Sequence, residues 1–262
     1  RFWKGDQFQT AEMASRLTGS SDIFDYNNRD IWASVNFITA HDGFNLRDLV
    51  SHNHKHNTSN GENNRDGNDS NWSWNSGTEG DTDNSVILEN RFMRAKAMLT
   101  TLMLSFGTPM MVAGDEFAHP YCQDNALTWL TWEGIDDLHQ NLTRYAKKVI
   151  KLRKKLKIFE RSKFFTGRPI DRSGFKDLTW LTERGTEFTP DDYCVYTGSK
   201  FVMCLFNANF NDVMWKLPAL SSDAKWNLLL DSSDKYADDA QAANGAEIKV
   251  PAWSVLVFEI KK

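Results

Sequence analysis

The chain has 262 residues, of which 40% are hydrophobic and 25% charged, with a formal net charge of −4; that balance suits a packed core shared by one large domain or two ordinary ones. It carries no basic stripe to follow a nucleic-acid backbone, since its one cationic run, Lys147 to Lys157, falls on an expected helix. No run of roughly eighteen apolar residues occurs, so neither a membrane span nor a membrane partner is expected.

The start, from Arg1 to Phe8, shows neither an initiator Met nor a signal-peptide pattern, and reads as the interior of something longer. Residues 34–40 (SVNFITA) form a short β-favouring run that stops at His41-Asp42-Gly43, which predicts a buried strand ending in polar residues. A long polar stretch follows over 52–75, HNHKHNTSNGENNRDGNDSNWSWN. Residues 86–106 are apolar on most faces and are stopped by Gly107 and Pro109, which predicts a well-buried helix. Pro109 to Ala113 reads as a second buried strand, ending at Gly114-Asp115-Glu116. Over 141–156, Leu142, Tyr145, Val149, Leu152 and Leu156 recur at steps of three and four, the mark of an amphipathic helix. Strand, loop, helix, strand, loop, helix implies parallel strands with crossover helices, an α/β architecture.

From about residue 163 the pattern changes to short β-type runs at 179–181, 194–196, 201–206, 213–215, 226–230 and 254–260. Turn-rich segments, Asn207 to Asn211 and Asp231 to Asp239, separate some of them. The expected fold is thus α/β over 1–161 followed by an antiparallel β-sandwich over 162–262, with a boundary near Arg161.

The polar stretch invites two metal readings. His52, His54 and His56 alternate, as three imidazoles on one strand face would, but zinc sites usually draw ligands from more than one segment. Glu62 to Gly67 approaches a calcium loop, yet the first position is Glu62 instead of Asp and the twelfth is Ser73 instead of Glu. The calcium reading is rejected, no metal site is expected, and no cofactor motif is found. Cys122, Cys194 and Cys204 are widely spaced and form no CxxC pair, which suits a reducing, cytoplasmic compartment. Sequons at Asn57, Asn71 and Asn141 arise by chance in so Asn-rich a chain. Ten Trp and seventeen Phe give some weight to stacking on sugar faces.

The strand ends carry more. In a parallel α/β barrel the active site lies at the C-terminal ends of the strands, and His41-Asp42 and Asp115-Glu116 both occupy such ends. Each also has a bland explanation as a helix cap or a turn. Here a resemblance enters. Val35 to Asp42 is similar to the strand-seven motif of glycoside hydrolase family 13, the α-amylase superfamily, and Gly107 to Phe117 to its strand-eight motif. Asn60 to Gly67 with Asn71 to Gly80, Tyr121 to Asn125 with Leu127 to Leu130, and Gly167 to Ile170 with Lys176 to Leu181 resemble the isoamylase and glycogen debranching branch.

That resemblance implies the C-terminal part of a (β/α)8 barrel, from about strand six to strand eight, followed by the sandwich. It implies hydrolysis of α-1,6 branch points in glycogen, starch or limit dextrin by a retaining mechanism. Asp42 would stabilise the transition state, and His41, Asp115, Glu116, Gln123, Asp124, Asn125 and Trp129 would bind substrate. Retaining chemistry also needs a nucleophile and an acid/base carboxyl roughly 5–5.5 Å apart. In the family these follow strands four and five, and neither Arg29-Asp30 nor Arg47-Asp48 shows the required setting. The chain alone is therefore expected to be inactive: either it is a piece of a longer enzyme, or its other half is supplied by another polypeptide, in trans or in a homo-oligomer. The alternatives are another α-glucan hydrolase of the superfamily, a non-catalytic glucan-binding or scaffolding subunit and, more distantly, a metal-binding protein.

Overall fold

The chain enters through α1 (Thr10–Leu17) and the one-turn α2 (Ser21–Phe24), then reaches the first of two short parallel strands, β1 (Val35–Asn36). In the computed structural model, residues 1–119, 129–133, 135–170, 172, 176–187, 195–197, 202–219 and 224–261 are described. After β1 come α3 (Leu46–Ser51), a long loop, α4 (Ser85–Leu104) and β2 (Thr108–Pro109), which lies parallel to β1 with Val35 opposite Thr108. The Asn84 side chain starts α4 by accepting from the N–H groups of Val86 and Ile87 at 3.0 and 3.3 Å. Gly107 is required next. Its φ is +107°, and a Cβ there would meet the Ser34 carbonyl oxygen at 2.4 Å. That close approach lets the Thr108 N–H reach the same oxygen at 2.8 Å and open the β1–β2 ladder.

Helix α5 (Asp137–Lys155) packs on α4 through Leu142, Tyr145, Val149 and Leu152, the face its periodicity predicts. Its Arg153 donates to the carbonyls of Met103, Ser105 and Gly107 at 2.6–2.7 Å, satisfying acceptors that the C-terminus of α4 would otherwise leave orphaned. Burial pushes that guanidinium down to about 10.

The second half is antiparallel. β3 (Leu178–Trp180), β4 (Val195–Thr197), β5 (Val202–Asn207), β10 (Ser254–Lys261), β7 (Lys225–Asp231) and β8 (Gln241–Ala243) form one sheet in that spatial order, and β6 (Val213–Lys216) pairs with β9 (Glu247–Val250) in a second. Alternation along β5 sends Met203 and Leu205 toward the β6–β9 pair, where Trp215, Trp226 and Val250 complete a core. Val202, Cys204 and Phe206 point the other way, into a cluster shared with α4 and α5. In β7 an irregularity in the pairing with β10 lets Leu228 face one core and Leu230 the other.

Both strands expected in the first half are shorter than predicted. The run 34–40 pairs over only two residues and the run 109–113 over Pro109 alone, since β2 begins one residue earlier, and Val35 and Phe37 stand 52% and 53% exposed, not buried. Among the described residues each strand has a single neighbour, so the outer edge of each stays open. The expected β runs fall on β3 to β7 and β10, except that Leu181 lies just past β3 and that Cys194 and Phe201 lie outside the described residues; β8 and β9 are additional. Near the expected boundary, Arg161 donates to Asp177 and to the Phe164 carbonyl, both at 2.8 Å, while one buried cluster runs continuously from Trp3 through α4 to Val257. Among the described residues no helix is long and apolar enough to cross a membrane. Cys204 is a buried thiol, pushed up to about 12 by burial, and Cys122 and Cys194 lie outside the described residues.

Candidate functional site

The loops leaving β1 and β2 meet, as the parallel pairing demands. Asp115 accepts from the Thr39 hydroxyl and, at 2.8 Å, from the Leu46 N–H at the start of α3. The same helix is capped by Asn45, whose oxygen accepts from the Asp48 N–H at 2.8 Å and whose amide donates to the His119 carbonyl at 3.0 Å. Asp115 is only 2% exposed, and burial pushes its carboxyl up to about 6 against the opposing pull of those hydrogen bonds. Of the residues the resemblance assigns to substrate, Asp115 thus lies inside the protein, locking the β1 loop to the β2 loop. Half-buried Glu116 turns back to accept from the Gly114 N–H at 2.9 Å.

His41 and Asp42 lie on the surface just outside this lock. Their side chains are 90% and 79% exposed and 3.2 Å apart, Nε2 to Oδ1. Their turn is held from behind by the long loop. The Asn68 N–H donates to the Asp42 carbonyl at 2.7 Å, and the Asn71 oxygen accepts from the Phe44 N–H at 2.8 Å. Phe44 itself is buried, so the turn is anchored on one side by packing and on the other by amides.

The polar stretch is a braced structure. Asn60 donates to Asp66, Asn64 accepts from the Asn57 N–H at 2.7 Å and donates to the Lys55 carbonyl at 2.9 Å, and Asn63 and Asn64 occupy the left-handed region that Asn tolerates. Its far limb runs beside α3. Trp74 N–H donates to the Leu49 carbonyl, the Ser76 hydroxyl to Val50 and Gly80 N–H to Ser51, at 2.8–3.1 Å. Two buried arginines of α4 clamp that limb. Arg91 donates to the carbonyls of Asn75, Thr78 and Gly80, and Arg94 to those of Trp3 and Trp74 and to the Ser76 hydroxyl. Burial pushes Arg94 down to about 9, with Arg91's charge adding to the effect. Neither arginine was singled out from sequence, although arginine inside an otherwise apolar helix was the available signal.

The tryptophans of the stretch divide. Trp74 is half-buried between the Arg94 guanidinium, 4.6 Å from its ring centre, and Trp253 at 5.3 Å, so it serves packing instead of offering an open face. Trp72 is exposed and carries Arg1 at 4.5 Å. Trp129 is exposed, with its carbonyl 3.1 Å from His119 Nε2; Trp132, not foreseen, lies exposed nearby at 5.0 Å from Phe117. Gln123, Asp124 and Asn125 lie outside the described residues.

The histidines do not share a strand face. The His54 side chain is exposed, while the rings of His52 and His56 lie 5.0 Å apart, tilted by 52°, and converge on Glu79. Burial opposes ionisation of Glu79, but donors from Asn53, His56, His54 and Asn75 outweigh it and hold the carboxyl at about 2.

A glycogen operon protein GlgX homolog from Mycobacterium tuberculosis is 41% identical over 98% of this chain, and a glycogen debranching enzyme from Serratia proteamaculans is 40% identical over 99%. The chain is thus homologous to part of the glycogen debranching enzymes. It spans about 40% of the length of these relatives. No protein-family model matches the chain. The glycogen debranching resemblance carried by 60–80 and by the two strand-end motifs is thus borne out. Among solved structures, a pullulanase type I from Bacillus subtilis, complexed with maltose, superposes over the whole chain with a TM-score of 0.62 at 15% identity, covering 32% of that enzyme. An α-amylase from Geobacillus thermoleovorans, complexed with acarbose, covers 99% of the chain at a TM-score of 0.53 and 16% identity. The chain therefore shares the pullulanase and amylase fold over its length.

Proposed function

We propose that this chain supplies the C-terminal wall of the active site of a glycogen or starch debranching hydrolase, which cleaves α-1,6 branch points by a retaining mechanism. The carrying observation is the exposed His41–Asp42 pair at the end of β1, fixed from behind by Phe44, Asn68 and Asn71. On this reading residues 1–161 hold the last strands of a (β/α)8 barrel, with β1 and β2 as strands seven and eight, and 162–262 form its companion sandwich. The two open edges of the β1–β2 pair, with Val35 and Phe37 exposed, receive the remaining strands.

In the assembled site Asp42 sits where positive charge develops on the sugar ring and stabilises it, and His41 donates to a sugar hydroxyl. Trp129 offers a flat apolar face to the glucan. Gln123, Asp124 and Asn125 complete the polar contacts. Glu116 lies at the rim. Asp115 acts by positioning: its hydrogen bonds to Thr39 and Leu46 set the loop that carries the pair. The nucleophile and acid/base belong to the upstream part of the longer enzyme. Asp48, the nearest internal carboxylate to the pair in sequence, is buried in α3 and is no substitute. The glucan and that upstream part are the partners, and the cytoplasm is the site of action.

The test is reconstitution. The 262-residue chain alone is expected to release no linear chains from amylopectin, and co-expression with the upstream part of the enzyme is expected to restore release. Debranching by a homogeneous sample of this chain would contradict the proposal.

A further inference from the structure

The cluster of His52, His56 and Glu79 lies within the loop but plays no part in the glycosidic chemistry. One ligand atom from each residue lies within 4.8 Å of the others. His56 Nε2 is 2.8 Å and His52 Nδ1 3.7 Å from Glu79 Oε1. For a zinc ion bound at roughly 2.0–2.1 Å, tetrahedral geometry separates ligand atoms by about 3.3 Å. The two observed distances bracket that value, so small side-chain rotations suffice to enclose an ion.

The surroundings are those of a built site. His52 Nδ1 is buried and makes no hydrogen bond among the described residues, which leaves its lone pair for another partner. The other ring nitrogen of His52 lies 3.8 Å from the buried Asp48 carboxylate, longer than a hydrogen bond, so Asp48 adds nearby negative charge to the site. Glu79 is held in place through Oε2, which accepts from the Asn53 N–H at 2.8 Å and the Asn75 amide at 3.1 Å. The backbone brings the ligands together before any ion arrives. Gly80 N–H donates to the Ser51 carbonyl, Asn75 N–H to the Asn53 side chain, and Arg91 clamps the carbonyls of Asn75, Thr78 and Gly80.

We propose that His52, His56 and Glu79 form a binding site for a divalent transition-metal ion of the zinc class, which cross-links the two limbs of the 52–80 loop. Two imidazoles and one carboxylate suit zinc, or cobalt as its probe, and not calcium or magnesium, which need an all-oxygen shell. The fourth position is left to water. The ion fixes the limb that runs to Asn68 and Asn71 and so steadies the turn bearing His41 and Asp42. His54 donates its backbone N–H to Glu79 Oε1 at 3.1 Å, but its exposed side chain is no part of the site.

That exclusion supplies the test. Equilibrium dialysis of the full chain against Zn(II), with metal analysis, is expected to give one equivalent per chain that excess Ca(II) does not displace. Co(II) in its place is expected to give the visible absorption of a tetrahedral site. His56→Ala and Glu79→Gln are expected to weaken binding at least tenfold, while His54→Ala leaves it unchanged. His54 and His56 are both exposed, so neither substitution threatens the fold. Equal losses in His54→Ala and His56→Ala would reduce the site to adsorption on a histidine-rich loop, and lack of a stoichiometric equivalent would overturn it. Neither readout depends on hydrolysis, so the inference stands or falls apart from the proposed function.

Discussion

Residues 34–40 and 201–206 are both short apolar runs of β-favouring residues, yet they end in opposite environments. β5 has a neighbour on each edge, the β6–β9 pair over one face and α4 with its cluster over the other, so every described residue of it is buried. β1 pairs over two residues with one partner and leaves Val35 and Phe37 open. A strand's burial is thus set by what flanks it, and composition reports only its readiness to be buried. Among the described residues β5 is covered on both edges and both faces, whereas β1 and β2 each keep an unpaired outer edge.

That contrast can be broken most forcefully at Trp226, fully buried between the two sheets with its indole N–H donating to the Pro218 carbonyl at 3.0 Å. Trp226→Ala is expected to cost ~3–5 kcal/mol, read as a fall in the denaturation midpoint. A loss under ~1 kcal/mol would mean that the sandwich-like core carries little of the fold.

Next in size is a pH effect in the paired-strand half. Asp115 rises from 3.8 in the unfolded chain to about 6 when folded, so the folded state holds the proton more tightly. Its contribution is fully present below about pH 4 and is lost as pH rises through 6, a change on the order of a few kcal/mol. Asp115→Asn is expected to flatten the stability profile across that window. An unchanged slope would remove Asp115 as the titrating lock.

The smallest expected effect sharpens the comparison. Val35→Ser with Phe37→Ser, both at exposed positions, should change the stability of this chain by less than ~0.5 kcal/mol each. In the longer enzyme the same pair is expected to be clearly destabilising, because the flank is then covered.

Much of this was legible in residues. The helix expected over 141–156 from its period is α5, which starts four residues earlier at its Asp136 cap, and α4 follows from its apolar run and Gly107-Thr-Pro stop. β8 and β9 were missed because Gln241–Ala243 and Glu247–Val250 are too polar or too small-chained to register as apolar runs; backbone pairing defines them. At the site, His41 and Asp42 stood out through their motif. The burial of Asp115 did not, since it depends on Thr39 and α3 closing over it. The histidine stretch misled through its alternation. Its real grouping needed Glu79, brought to His52 by hydrogen bonds between limbs that no local pattern encodes.

The central claim is that Asp42 serves the chemistry of a debranching site, and it is tested most directly by kcat. In the longer enzyme, Asp42→Asn keeps the shape of an exposed side chain and removes its charge. The account predicts that kcat on a branched α-glucan falls by at least ~10²-fold, with a much smaller change in KM. An unchanged kcat, measured on a variant that still binds glucan, would contradict it.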